Sequence, residues 1–396
     1  FLQTMDIGKT GVILGNGQVN YTSYPGLIPD GLTWEKVTTY DVGVDLDLFG
    51  NRLNFVFDWY RRNTKDMYTV GPTLPEVLGT TQPKGNYADL KTNGWELTLS
   101  WRDNFKLAGS DFNYGIKFML WDSQSWITRY NNELGKLSDY YEGYKIGDIW
   151  GYRIEGLFTS YDEIANHADQ DYMKISDSRI WQPGDLKFED VNGDGKIDKG
   201  AQTLSDHGDL VIVGNEEERY HYGFNINLNW KGIGISAFFQ GVGKRDWYPG
   251  QETGFFWGKY NRPYSYSLKM HEDRWTPENP NPNALWPRLV AYSSENGGRP
   301  MGTPNNRFMQ DASYLRLKAL TVDYSLPQAV VRKIGLSGLK IFFTGENMFT
   351  FSKICENFDP EVIKGGDVDL KDRKGEEQGY SYPMLKTFTF GLNISF

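Results

Sequence analysis

The chain holds a single cysteine, Cys355, so it has no internal disulfide framework and no cysteine-based metal spacing. No stretch approaches the roughly 18 consecutive apolar residues that a transmembrane helix requires, which excludes a helical membrane protein. Positive charge is in deficit: 42 Lys and Arg stand against 51 Asp and Glu, a net charge of −9. No basic stripe is therefore present to neutralise phosphates, and nucleic acid is excluded as a partner. Histidine is scarce, and His167, His207, His221 and His271 lie in unrelated segments. There is no Gly-x-Ser-x-Gly elbow, no His-Glu-x-x-His pair and no phosphate-binding loop. Paired carboxylates are frequent, but among 51 acidic residues such pairs arise by chance. An enzyme is not expected. The opening residues, Phe1-Leu2-Gln3-Thr4-Met5, lack the basic and apolar regions of a signal peptide, so such a leader has been removed or the chain is a fragment.

What is present is aromatic. Phe, Trp and Tyr make up 15% of residues, while apolar residues as a whole reach only 39%, low for a packed soluble core of this size. A β-barrel in lipid predicts this pairing, because its lumen face is polar, its lipid face apolar, and aromatic girdles mark both interfaces. A secreted β-sandwich or propeller that binds sugar on aromatic platforms fits the same composition.

Period-two alternation is the strongest signal along the chain. Phe388, Phe390, Leu392, Ile394 and Phe396 fall on one face, and Thr387, Thr389, Gly391, Asn393 and Ser395 on the other. Tyr40, Val42, Val44, Leu46 and Leu48 alternate with a row that carries Asp41, Asp45 and Asp47. Three aspartates are costly against a dry core and cheap against a water-filled lumen. Further rows begin at Leu53, Trp95, Phe112, Tyr222 and Ile233, with turns expected at Gly50-Asn51 and Lys231-Gly232. Two segments, Tyr314–Leu326 and Leu339–Phe349, alternate less cleanly, the first shifting phase near Lys318 as a β-bulge would.

The links between these strands alternate in length. Those near 50–51, 103–111, 231–232 and 327–338 are short, and those over 63–90, 123–218, 244–312 and 352–383 are long. Short periplasmic turns and long extracellular loops produce this alternation in outer-membrane barrels. The fold class expected is all-β, a transmembrane antiparallel barrel. Nine strands cannot close a barrel with both termini periplasmic, so earlier strands are expected upstream.

Several segments then resemble the barrel region of SusC/RagA-type TonB-dependent transporters. They include Leu32-Thr33-Trp34-Glu35-Lys36, Gly151-Tyr152-Arg153-Ile154-Glu155-Gly156-Leu157-Phe158 and Pro183-Gly184-Asp185-Leu186-Lys187-Phe188. Asp190 to Asp198, Phe239-Gln240-Gly241-Val242 and Arg274-Trp275-Thr276-Pro277-Glu278-Asn279-Pro280 continue the series, followed by Ser313 to Lys318, Gly345 to Thr350 and Tyr382-Pro383. The resemblance implies that residues 1–396 are the C-terminal portion of a barrel of about 22 strands with a plugged lumen, the plug and first strands lying outside this chain. It implies an outer-membrane importer of oligosaccharides or peptides, energised by TonB and capped by a SusD-type surface lipoprotein, with such pairs forming a dimer. A passive porin, a barrel adhesin and a soluble carbohydrate-binding β protein are the alternatives.

Three motifs carry site expectations. Asp190-x-Asn192-x-Asp194-Gly195-Lys196-Ile197-Asp198 matches the first nine positions of an EF-hand-type loop, so structural Ca2+ is expected on Asp190, Asn192, Asp194, Lys196 (through its carbonyl) and Asp198. Position 12 is Ala201 rather than glutamate, and a loop of Asx turns accounts for the same residues. Among the dense aromatics of 244–268, Trp247, Tyr248, Phe256, Trp257 and Tyr260, with Arg262, are expected to contact ligand. Loop packing or contact with the lipoprotein is the competing role. Terminal Phe396, ending an alternating strand, resembles the signal read by the barrel-assembly machinery.

Overall fold

A computed structural model of the chain describes residues 5, 7–14, 17–22, 29, 31–71, 77, 82–174, 179–250, 253–261, 264–290, 299–363 and 382–396. The chain divides into two compact units, one of residues 1–40, 60–93 and 124–146, the other of 41–59, 94–123 and 147–396.

Nine long strands form one sheet: β1 (Lys36–Leu48), β2 (Leu53–Val70), β3 (Lys84–Leu107), β4 (Ser110–Tyr130), β5 (Arg219–Trp230), β6 (Ile233–Lys244), β7 (Tyr314–Ser325), β8 (Gly338–Ser352) and β9 (Thr387–Ser395). Their order in the sheet is their order in the chain, so each strand pairs with its predecessor and its successor. Such a meander suits strands joined by turns and loops that return to the same edge.

In the second unit the register separates the side chains by chemistry. Across β4 to β9, Ile116 stands opposite Ile226, Ile226 opposite Ala237, Ile235 opposite Val322, Val322 opposite Phe343 and Phe343 opposite Phe390. Phe224 and Phe239 stack at 4.4 Å on this face. The other face carries Asn227 opposite Ser236, Ser236 opposite Thr321, Thr321 opposite Thr344 and Thr344 opposite Thr389. Here the Thr321 and Thr344 hydroxyls lie 3.0 Å apart. The apolar face is the uncovered one: Phe390 is 78% exposed. Each such side chain gains about 1.5–3 kcal/mol on leaving water, and lipid is the medium that supplies that gain for a whole row.

Turn chemistry closes the short links. Lys231 and Gly232 both take positive φ, 50° and 81°, as a two-residue hairpin whose twist matches its strands requires. The link after β7 instead contains a one-turn helix, Gln328–Val331, and a 3-10 turn, Arg332–Ile334. Lys318 is the expected bulge. Pairing passes from Ala319 to Leu317 against both neighbouring strands, leaving Lys318 without a cross-strand partner.

Strands β2, β3 and β4 are longer than their alternation suggested. Segments expected as loops, 63–70, 84–90, 103–107 and 123–130, are strand. Their polar stretches break the hydrophobic period without breaking the backbone ladder.

The first unit contains an exposed hairpin, Ile7–Leu14 with Gly17–Thr22, together with residues 60–70, 84–93 and 124–130 of β2 to β4. Arg129 organises it, donating from Nε to Asp89 Oδ2 at 2.9 Å and from Nη2 to Asp89 Oδ1 at 2.7 Å and Asp66 Oδ1 at 3.1 Å. The Tyr140 and Tyr144 rings pack 5.6 Å apart, and Tyr141 and Tyr144 5.1 Å apart, so this aromatic cluster packs its own loop.

Candidate functional site

The long links of the second unit fold into a substructure with its own core. Short strand pairs frame it: Asp148–Gly151 with Val211–Asn215, Ile154–Leu157 with Leu186–Phe188, and Asp246–Trp247 with Gln310–Asp311. At its centre Trp286 stacks on Tyr260 at 5.0 Å and meets Phe256 and Phe308 at 5.3 Å each. Trp257, 0% exposed, packs on Phe308 and donates from Nε1 to the Gly250 carbonyl at 2.8 Å. Tyr260 Oη donates to the Pro287 carbonyl at 2.6 Å. His271 is buried beside Trp286. Its Nδ1 accepts the Leu268 N–H, so Nε2 carries the proton and donates to the Phe256 carbonyl at 2.8 Å. Burial holds this imidazole below the usual histidine range.

Trp247, Phe256, Trp257 and Tyr260, expected to contact ligand, lie within this core. Their rings are buried against one another and against Phe308, Phe358 and Trp286, and the polar handles of Trp257 and Tyr260 are bonded to loop carbonyls. Tyr248 is half-buried; its Oη donates to the Met301 carbonyl at 2.6 Å and accepts from Asn305 at 2.8 Å. Arg262 lies outside the described residues. The aromatics of this segment that do face solvent are Phe255, Tyr266 and Tyr264, the last 81% exposed.

Buried ion pairs fix the loops to the sheet and to each other. Arg316, on the polar face of β7, donates to Thr350 Oγ1 at 2.8 Å, to Asp359 Oδ1 at 2.5 Å and to Glu361 Oε2 at 2.5 Å. The bulge residue Lys318 reaches Glu361 Oε1 at 2.7 Å. Burial pushes the Asp359 carboxyl up, but Arg316 and the N–H groups of Met384 and Glu361 outweigh it and hold the group below the carboxylate range. A second centre is Asp185, buried and clasped by Arg288 from Nε at 2.6 Å and Nη2 at 3.1 Å, and by Arg179 at 3.0 Å.

On the polar face of the sheet, near its short turns, a recess of about 1040 Å³ is lined by Asp47, Asn54, Arg102, Lys117, Asn227 and Asp323. Within the loop substructure a cavity of about 590 Å³ opens between Tyr161, Gln182, Arg274, Trp275, Glu278 and Arg288. The sequence gives no signal for the second, because its walls come from segments far apart in the chain.

The 190–198 loop is a series of Asx turns. Asp190 accepts the Gly193 and Gly195 N–H groups at 2.7 and 2.9 Å, Asn192 accepts that of Asp194 at 2.9 Å, and Asp194 that of Lys196 at 2.9 Å. Gly193 and Gly195 sit at φ 75° and 82°. Buried Asp209 accepts the Val191 and Asp198 N–H groups, both at 2.8 Å, and burial raises its pKa. The donors suit a hard cation in kind, but the side chains are turned onto their own amides. Among the described residues no three or more His, Cys, Asp or Glu side chains are gathered to hold a metal. The expected Ca2+ ligands Asp190, Asn192, Asp194, Lys196 and Asp198 lie together in this turn, whose amides the Asp and Asn side chains accept.

The family profile described as TonB dependent receptor-like, beta-barrel, matches residues 9–162. TonB-dependent receptor P3 of Formosa agariphila is 27% identical over 97% of this chain, and TonB-dependent receptor SusC of Bacteroides thetaiotaomicron is 25% identical over 95%. The chain spans 36% and 33% of those two relatives, about a third of their length. Among solved structures, the RagAB peptide transporter superposes over 100% of this chain and 39% of its own, with a TM-score of 0.68 at 20% identity. The RagAB peptide importer in its closed-closed state gives 0.69 at 20% identity, over 100% of this chain and 39% of its own. The resemblance to SusC/RagA-type TonB-dependent transporters is borne out, and the fold is that of their outer-membrane barrel wall. The relatives are receptors and transporters, not enzymes.

Proposed function

We propose that this chain, similar along its length to SusC/RagA-type TonB-dependent transporters, is the C-terminal barrel portion of an active importer of oligosaccharides or peptides. Preceding residues of the full-length protein supply the plug and first strands. A SusD-type surface lipoprotein closes over the long loops, TonB drives transport through the plug, and two transporter–lipoprotein pairs associate. The observation that carries this reading is the two-faced sheet: an apolar face continuous from β4 to β9, a polar face with its recess, and long links grouped at alternate strand connections. The uncovered apolar face is what disfavours a soluble carbohydrate-binding β protein.

Within this reading, solute meets the loop substructure, whose buried aromatic core gives it a fixed shape and whose exposed Phe255, Tyr264 and Tyr266 supply faces for stacking. The solute then passes along the Asn- and Thr-rich face of the wall. The test is uptake of labelled oligosaccharide and peptide mixtures by cells with and without the full-length transporter, and with and without TonB. Uptake lost in both deletions supports active import. Uptake that survives loss of TonB supports a passive porin instead.

A further inference from the structure

The polar face of the sheet carries a pair of stacked rings on β4 and β5. Trp121 stands opposite His221, and the register then runs unbroken to the row of Asn113, Asn229 and Gly234. Trp121 and His221 lie five positions from Ile116 and Ile226, an odd number, so both project opposite the apolar row. Their rings are parallel within 5°, with centroids 5.2 Å apart, and Trp121 is 39% exposed. Beside them Phe238 and Met119 lean over Gly223, where a Cβ would meet them at 3.4 and 3.5 Å. Beyond these, β5 presents Asn225, Asn227 and Asn229 at every second position, about 7 Å apart. Asn227 and Asn229 are exposed and line the recess of about 1040 Å³.

Charge is nearly missing from this strip. Asp, Glu, Lys and Arg make up 23% of the chain. Yet among the described polar-face positions of β4, β5 and β6, from the Trp121–His221–Val242 row to the Asn113–Asn229–Gly234 row, Lys117 is the one such residue. A charged solute sheds water here and meets Lys117 as its one ionic partner in the strip, whereas an uncharged solute pays no such penalty. An asparagine amide both donates and accepts, as does a sugar hydroxyl. The flat face of the stack suits the C–H face of a sugar ring, and a peptide offers such a face only at an aromatic or proline side chain.

We infer that this strip is a binding track for an uncharged oligosaccharide. The Trp121–His221 stack is the platform for one ring, and Asn225, Asn227 and Asn229 bond hydroxyls of the rings that follow. From His221 to Asn227 is six residues of β5, about 20 Å, so the solute is several linked rings long. The inference rests on the import reading in taking this oligosaccharide to be the transported solute.

Binding to the purified full-length protein in detergent is measured by calorimetry. The probes are maltoheptaose, xylohexaose and mannohexaose, the disaccharide of each series, and an uncharged capped hexapeptide of glycine and serine. At least one long oligosaccharide binds, and its disaccharide binds about tenfold or more weakly, lacking partners at one end of the track. Trp121→Ala weakens the long probe about fivefold or more, in the range of an aromatic contact, and Trp121→Phe retains part of the affinity. Asn227→Leu, a change at an exposed residue, weakens it about threefold or more, as loss of a hydrogen bond does. Should Trp121→Ala fail to assemble, Trp121→Phe and Asn227→Leu decide by the same criterion. Absence of binding by all three long oligosaccharides, equal binding of the hexapeptide, or wild-type affinity in the variants overturns the track. TonB-dependent uptake of peptides would then still uphold import, so the two readings fail separately.

Discussion

Arg316 Nη2 lies 2.5 Å from Asp359 Oδ1, and through this contact a strand of the sheet holds the loop that follows β8. Arg316 is 3% exposed in its side chain, and its Nε and Nη1 donate to Thr350 and Glu361. Removing one partner of a buried pair leaves an uncompensated charge, at a cost of about 3–5 kcal/mol. Asp359→Ala is therefore expected to release the 353–363 segment, seen as faster cleavage there in limited proteolysis with the sheet still folded. Cleavage at the wild-type rate would show that the pair does not hold the loop. The pH dependence has a definite sign. Because the folded Asp359 pKa lies below its ordinary 3.8, its contribution is complete above that value and is lost as pH falls through the lower folded one. The tether is thus expected to be indifferent to pH above about 5 and to loosen only in stronger acid.

The aromatic core carries a sensitivity of the same sign, but nearer neutrality. His271 is neutral, donates from Nε2 to the Phe256 carbonyl and accepts on Nδ1, an arrangement that a protonated ring cannot keep. Its folded pKa is depressed by burial below the ordinary 6.5, with Arg274 adding to the effect. Stability from this group is complete above 6.5 and declines as pH falls through the folded value. Tryptophan fluorescence, reporting Trp257 and Trp286, is expected to shift on acidification below about pH 6.5, and the shift to vanish in His271→Gln. A shift that persists in the variant would assign it to another group.

How much of this was legible in the sequence depends on what lipid imposes. All nine wall strands show in the alternation, because a lipid-facing row must be apolar at every second position; Ile226 and Phe390 stand where the period puts them. Beyond the lipid the ladder continues on backbone hydrogen bonds alone, so the polar ends of β2 to β4 left no period to read. The site was less legible for a related reason. Aromatic density marks the 244–268 segment, but which rings are spent on packing depends on Trp286 and Phe308, remote in sequence and adjacent in space. The bulge at Lys318 was legible as a phase shift; its partner Glu361 was not.

The 190–198 loop offers a test of ion against hydrogen bond. Asp190 accepts two N–H groups, so Asp190→Ala leaves two donors without their acceptor, at about 1–3 kcal/mol for each that stays buried. As the side chains are turned onto amides, addition of a calcium chelator is expected to leave the melting temperature of the wild-type protein unchanged. A drop on chelation that calcium reverses, and that is absent in Asp190→Ala, would place calcium in this loop.

Phe396 is 94% exposed, and its carbonyl accepts from Ser337 Oγ at 3.0 Å. Its ring is thus uncovered among the described residues, which suits the signal for the barrel-assembly machinery that the terminal strand resembles. Phe396→Ala is expected to lower the amount of assembled barrel in the outer membrane several-fold while leaving the melting temperature of the assembled fraction unchanged. Equal loss of both would make Phe396 a stabilising residue instead.

The two faces of the sheet predict opposite responses to the same chemical change. Ile341 on the apolar face is flanked by Tyr324 and Leu392, while Thr344 on the polar face lies between Thr321 and Thr389. An arginine facing lipid near mid-membrane costs about 2–4 kcal/mol, and one facing a watery lumen costs far less. Ile341→Arg is therefore expected to lower the denaturant midpoint of the full-length barrel in lipid vesicles, and Thr344→Arg to leave it nearly unchanged. The same pair separates a membrane wall from a soluble sandwich. A sandwich would bury one of these faces against a second layer, and an arginine on the uncovered face would then raise solubility without a loss of stability. If Ile341→Arg behaves that way, lipid is not what covers this face.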